Sequence, residues 1–180
     1  METLVQEWKN NPKQTVLTLG VNGDDIQEML MFAREAERMA EESGVDFILA
    51  ARPPYYGKTE QDIKEYYEAL ATVAKRPVII QTYVNEDCPA PSAELLIDLA
   101  QRYPDVYGWI KEESNKLEAN DRQQAELEGK PAVKTVFSAW GRMAVALSEA
   151  PDRYCRSDFR EDCLCSDYFS CMATDEERRK

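Results

Sequence analysis

Five short apolar, β-branched runs recur along the chain, and the stretches between them carry apolar residues at a helical period. The runs are Thr15–Gly20, Val45–Ala50, Val78–Thr82, Val106–Ile110 and Val133–Phe137, with starts 30, 33, 28 and 27 residues apart. That interval is the length of one strand plus one helix, repeated. Between the runs, Ile26, Met29, Leu30, Ala33, Ala36 and Ala40 form one stripe. Ile63, Tyr66, Tyr67, Leu70, Ala71 and Ala74 form a second, and Leu95, Leu96, Leu99 and Ala100 a third. Residues 2–10 read as the end of a further helix, stopped by Asn10-Asn11-Pro12.

The punctuation agrees with this division. Thr59 followed by Asp62 reads as a capping box, and Ser92 precedes Ala93-Glu94 as an N-cap. Gly44 stands where a left-handed residue would end the long helix. Pro77 opens the third strand, where a missing N–H is tolerated. Strand–helix alternation predicts an α/β fold with a parallel sheet and right-handed crossovers. Two architectures satisfy the rhythm, a doubly wound open sheet and part of a (βα)₈ barrel. Both place binding groups at the carboxyl ends of the strands.

Composition narrows the chemistry. With 34 acidic and 22 basic side chains, the net charge is −12, which excludes nucleic acid and anionic membrane surfaces as expected partners. A hydrophobic content of 43% in 180 residues suits a folded domain. No run approaches the roughly 20 apolar residues that span a bilayer, and the amino terminus lacks the pattern of a secretory signal, so a cytoplasmic protein is expected. There is no histidine, which removes Ser-His and Cys-His nucleophile pairs and histidine metal sites. Acid–base or covalent chemistry falls to Lys, Tyr, Cys, Asp or Glu.

The strand ends supply candidates. Lys111 follows Tyr107-Gly108-Trp109-Ile110 without a turn. A lysine partly desolvated at the mouth of a barrel supplies the neutral amine that forms a Schiff base, whereas an ordinary solvated lysine only caps the strand. Tyr55 and Tyr56 follow the second strand, and being adjacent, at most one points inward. Gln81 and Tyr83 are two apart, so on a continuing strand they share a face and can orient a substrate carboxylate or fill a rim. Ser138 follows the fifth strand.

At these residues the chain resembles the dihydrodipicolinate synthase / N-acetylneuraminate lyase family of class I, pyruvate-dependent aldolases. The resemblance runs from about Val16 to Gly141. Its carrying stretches are Pro54-Tyr55-Tyr56-Gly57-Lys58-Thr59, Arg76-Pro77-Val78-Ile79-Ile80, Pro91-Ser92-Ala93-Glu94-Leu95-Leu96 and Gly108-Trp109-Ile110-Lys111-Glu112-Glu113-Ser114. It implies a homo-oligomeric (βα)₈ barrel enzyme that needs no cofactor and no metal. Lys111 would form the Schiff base with pyruvate or another 2-oxo acid before condensation with an aldehyde. Tyr56 matches the family's second tyrosine and Tyr55 its neighbour. Tyr56, with Tyr83 as a substitute from the face it shares with Gln81, is the candidate for proton handling, and Gln81, Tyr55 and Ser138 are the candidate substrate contacts. Two positions depart from the family pattern: Gln81 stands where a catalytic tyrosine is usual, and Glu86 where an arginine is common.

The resemblance begins at the family's third strand, so the chain is expected to form an incomplete barrel. It would have about five parallel strands with intervening helices, without the Gly-Thr-Thr-Gly-Glu loop, and little turnover of its own. The alternative function is a non-catalytic or truncated member acting as a binding or oligomerisation module. Residues 1–141 are expected to form the barrel-related part and 142–180 an irregular tail. That tail contains Cys155, Cys163, Cys165 and Cys171 without the Cys-x₂₋₄-Cys knuckle of structural zinc sites. Codons synonymous for Arg142–Ser148, read one base later, can encode an apolar aromatic peptide, so an out-of-frame tail is one reading of the segment.

Overall fold

Local signals in the sequence set the limits of the helices. In the computed structural model, which describes residues 6–7, 9–10, 17–45, 47–83, 89–114 and 118–139, residues 6–7 and 9–10 are helical. Helix α1 (Ile26–Ser43) starts at Asp25, whose carboxylate accepts the Glu28 N–H. It stops at Gly44, whose φ of 65° places it in the left-handed region that glycine enters without penalty. Helix α2 (Glu60–Ala71) opens with the expected capping box of Thr59 and Asp62. Helix α3 (Ala93–Arg102) opens with Ser92, whose hydroxyl accepts the Leu95 N–H at 3.1 Å. Helix α4 (Ala119–Leu127) has no side-chain cap.

The strands are β1 (Leu17–Gly20), β2 (Phe47–Ala51), β3 (Val78–Gln81), β4 (Trp109–Glu112) and β5 (Thr135–Ser138). All neighbours are parallel and the order is β1-β2-β3-β4-β5. This sequential order has no reversal, so the sheet lacks the switch point of a doubly wound fold. The packing also separates the two architectures. Leu49, Ala51, Val78, Ile80, Ile110 and Val136 join a core built with Met29, Leu30, Tyr66, Tyr67, Leu96 and Leu99 from α1, α2 and α3. These strand residues all alternate onto one face. The described helices therefore cover one face only, as in a (βα)₈ barrel, and leave the other for the barrel interior.

Two strands begin later than their apolar runs. Val106 and Tyr107 donate their N–H groups back to Tyr103 O at 3.0 and 2.8 Å, closing a turn after α3. Gly108 follows with φ 130°, and β4 starts only at Trp109. Similarly, Val133 N–H bonds to Gly129 O at 3.1 Å before β5 begins. The shift carries Lys111 and Glu112 inside β4. A ladder of tyrosines fills the core beneath: Tyr66 meets Tyr67 and Tyr67 meets Tyr107 edge to face, with centroids 5.6 and 6.0 Å apart. The Tyr107 hydroxyl donates to Tyr67 O at 2.6 Å, so burying the phenol leaves no polar atom stranded.

No described helix is long and apolar enough to cross a membrane. Glu86, Cys88, Lys116 and residues 140–180, with the proposed 142–180 tail and its cysteines, lie outside the described residues.

Candidate active site

Parallel register brings the main candidates to one level. Gln81 pairs with Lys111, and Lys111 pairs with Phe137. Alternation from the core-facing Ile80 and Ile110 puts Gln81 and Lys111 on the helix-free face at the carboxyl edge of the sheet. The Lys111 side chain is 39% exposed, so it is half-solvated rather than enclosed. Its ammonium lies in ion-pair contact with Glu113, which has the same strand parity and is 16% exposed. Sequence reasoning did not single out Glu113, although a carboxylate two residues beyond a strand-end lysine is a readable signal.

The tyrosines surround this edge without bonding to the lysine. β3 ends at Gln81, so strand alternation does not carry on to Tyr83, which is 46% exposed. Tyr55 and Tyr56 sit on a turn after β2 and are both exposed. The Tyr55 ring lies under the Arg52 guanidinium, 3.4 Å from it. Tyr56 packs edge-on against Tyr66 at 6.4 Å, and burial, with Asp62, Asp25 and Glu65 adding, raises its phenol above the ordinary tyrosine value. Ser138 pairs with Glu112 rather than Lys111 and follows Val136 and Phe137 in alternation, so it stands on the helix-facing side. It does not join the Lys111 group, because its register sets it level with Glu112, one position past Phe137 and on the opposite face from Lys111.

Behind Lys111, the helix-facing side of β4 holds a buried polar network. Glu112 is fully buried. Its Oε1 accepts the Ser114 N–H at 2.8 Å and the Ser114 hydroxyl, and its Oε2 accepts the Thr82 hydroxyl at 2.9 Å and Arg122 Nε at 3.2 Å. Arg122 also donates to Pro91 O at 2.7 Å and lies 3.7 Å from Glu126. Thr82 Oγ1 accepts the Glu113 N–H at 2.8 Å, which ties the network to the carboxylate facing Lys111.

The two buried carboxyls divide one proton. Burial, then the hydrogen bond and charge of Glu112, push Glu126 up to about 9 against the opposing pull of Arg122. Burial also acts to raise Glu112, but hydrogen bonds from Glu126 and Ser114 and the Arg122 charge hold it below the ordinary carboxylate value. With Glu126 raised and Glu112 held low, the pair carries one proton at neutral pH. Among the described residues, no group of three or more cysteine or acidic side chains is arranged to hold a metal ion.

The arrangement offers a lysine at a parallel strand's carboxyl end, with an acceptor for its proton and an amide beside it. No family model matches the chain. It is 24% identical over 170 residues to the 4-hydroxy-tetrahydrodipicolinate synthase of Agrobacterium fabrum, covering 89% of this chain and 55% of that protein. The chain is a partial match to the dihydrodipicolinate synthase family. Solved members share its fold. The chloride-inhibited dihydrodipicolinate synthase of Acinetobacter baumannii, complexed with pyruvate, superposes with a TM-score of 0.60 at 18% identity, over 76% of this chain and 44% of that one. The 2-keto-3-deoxygluconate aldolase of Picrophilus torridus gives 0.57 at 17% identity, over 76% and 46%. The chain thus spans about half the length of these family members.

Proposed function

We propose that Lys111 is the nucleophile of a class I aldolase-type reaction and forms an imine with pyruvate or another 2-oxo acid. The observation that carries the reading is the placement of Lys111: on the helix-free face, level with Gln81 and in contact with Glu113. Glu113 takes the ammonium proton, and the freed amine attacks the ketone carbon. The carbonyl oxygen leaves as water, and the imine draws electron density from the adjacent carbon for bond formation with an aldehyde. Gln81 orients the carboxylate next to the imine, while Tyr56 and Tyr83 handle protons at the mouth. The imine itself is the electron sink, so the step needs no added cofactor. The reading includes a homo-oligomer working in the cytoplasm, with a barrel-related part over residues 1–141. The family membership of the A. fabrum synthase and the pyruvate complex of the A. baumannii enzyme support it.

A second reading, a non-catalytic binding or oligomerisation module, is favoured by Gln81, since a carboxamide cannot relay a proton as a phenol does. Sodium borohydride reduction in the presence of pyruvate separates the two. The aldolase reading expects a covalent mass increase that is lost in Lys111→Arg, because arginine stays protonated and cannot attack. No pyruvate-dependent adduct in the wild type supports the module.

A further inference from the structure

The row that contains Gln81 and Lys111 continues onto a third strand. Ala51, the last residue of β2, pairs with Ile80, so Arg52 stands level with Gln81. Leu49 and Ala51 belong to the helix-facing core, and Arg52 directly follows the end of β2, at the carboxyl edge of the sheet beside Gln81 and Lys111. Its backbone is fixed there, with the Arg52 N–H donating to Asn22 Oδ1 at 2.8 Å. The guanidinium carbon lies over the Tyr55 ring, 3.4 Å from its centroid. Among the described residues, its charge meets no carboxylate within ion-pair distance, although the chain carries 34 acidic side chains. An arginine held by stacking and left without an acid suits capture of a carboxylate by two parallel hydrogen bonds.

We propose that Arg52 is a specificity-determining residue for a second anionic group, so that the ligand is a 2-oxo acid with a distal carboxylate. This rests on Lys111 forming the imine. Neighbouring strands lie about 4.8 Å apart. The carboxylate next to the imine carbon falls to Gln81, and Arg52 is one strand further along. The two carboxyl carbons of a five-carbon 2-oxo diacid are four carbon–carbon bonds of about 1.5 Å apart, and their extended separation of about 5 Å covers that spacing. The overall charge of −12 repels anions at long range, but salt screens it beyond about 8 Å, so the local cation decides binding.

The test compares 2-oxopentanedioate with 2-oxopentanoate, which share a carbon chain and differ in the distal carboxylate. Binding is measured by ligand-observed NMR, and imine formation by borohydride trapping, on wild type, Arg52→Gln and Arg52→Lys. The wild type is expected to prefer the dicarboxylate by about tenfold or more. Arg52→Gln should remove the preference by weakening the dicarboxylate alone, and Arg52→Lys should restore part of it. No preference in the wild type, including no binding of either acid, overturns the proposal, as does a preference that survives Arg52→Gln. Should NMR show the Arg52-dependent preference while borohydride labels nothing, Arg52 stands and the imine falls. Should Lys111 be labelled equally by both acids, the imine stands and Arg52 falls.

Discussion

Helices α2 and α4 occupy equivalent places in two strand–helix units, after β2 and after β4, yet their inward faces differ in kind. α2 turns Ile63, Tyr66, Tyr67 and Leu70 to the sheet, all fully buried. α4 turns Ala119, Gln123 and Glu126 inward, with Arg122 beside them. The first face is held by apolar area, which is tolerant of direction. The second is held by the Arg122 charge and its bonds to Glu112 and Pro91, while the buried Gln123 amide has no hydrogen-bond partner among the described residues. It lies behind β4, the strand that carries Lys111. Its Arg122 donates to Glu112 on β4 and to Pro91 O just before α3, and Glu112 in turn accepts from Thr82, after β3. The polar helix thus sets where the strand ends lie, and the apolar one supplies bulk stability.

Removing one residue from each face should break the comparison most sharply. Arg122→Ala leaves Glu112 and Glu126 facing each other without a cation, and breaking a buried pair of this kind costs about 3–5 kcal/mol. Leu70→Ala in α2 leaves a cavity instead and costs about 2–5 kcal/mol. Denaturant midpoints at pH 7 check both. A stability unchanged by Arg122→Ala would show that the polar face is solvated. The two variants should also differ in salt dependence, since only the first leaves unbalanced charge.

The sequence was informative about α2 and nearly silent about α4, for the same physical reason. Hydrophobic periodicity finds a face only when that face is apolar, so the first three helices were readable and the inward side of α4 was not. Capping at Thr59, Ser92 and Gly44 was legible because it depends on neighbours within four residues. The start of β4 was not, because Val106 and Tyr107 are apolar for burial in a turn and not for pairing in the sheet. Ser138 was misdirected because its face follows from its register with Glu112, while Lys111 was found because a lysine ending an apolar run stands out at any register. Arg52 needed strand register, which no local pattern supplies.

Proton sharing sharpens the contrast further. The folded value of Glu126 is raised from 4.5 to about 9, so its contribution to stability is fully present below about pH 4.5 and is lost as pH rises toward 9. Glu126→Gln removes that loss. The variant should therefore gain on the wild type progressively from about pH 4.5 to 9 and run parallel to it above, as followed by melting temperature against pH. A difference independent of pH would mean that the two carboxyls do not share a proton. Glu112, held low, acts on the acid side, and its contribution fades as pH falls below its ordinary range.

Thr82→Val gives the smallest expected effect. It keeps shape and removes the hydroxyl that joins Glu112 to the Glu113 N–H, at a cost of about 1–2 kcal/mol. Pyruvate-dependent labelling should slow more than stability falls, because Glu113 is then less well held against Lys111.

The central claim, that Lys111 is the reactive amine, is tested most directly by locating the adduct. Borohydride reduction with pyruvate, followed by proteolysis and tandem mass spectrometry, should place the modification on the peptide containing Lys111. Lys58 and Lys116 should remain unlabelled at concentrations that saturate Lys111. Label spread evenly over these lysines, or label that persists undiminished in Lys111→Arg, would contradict the assignment.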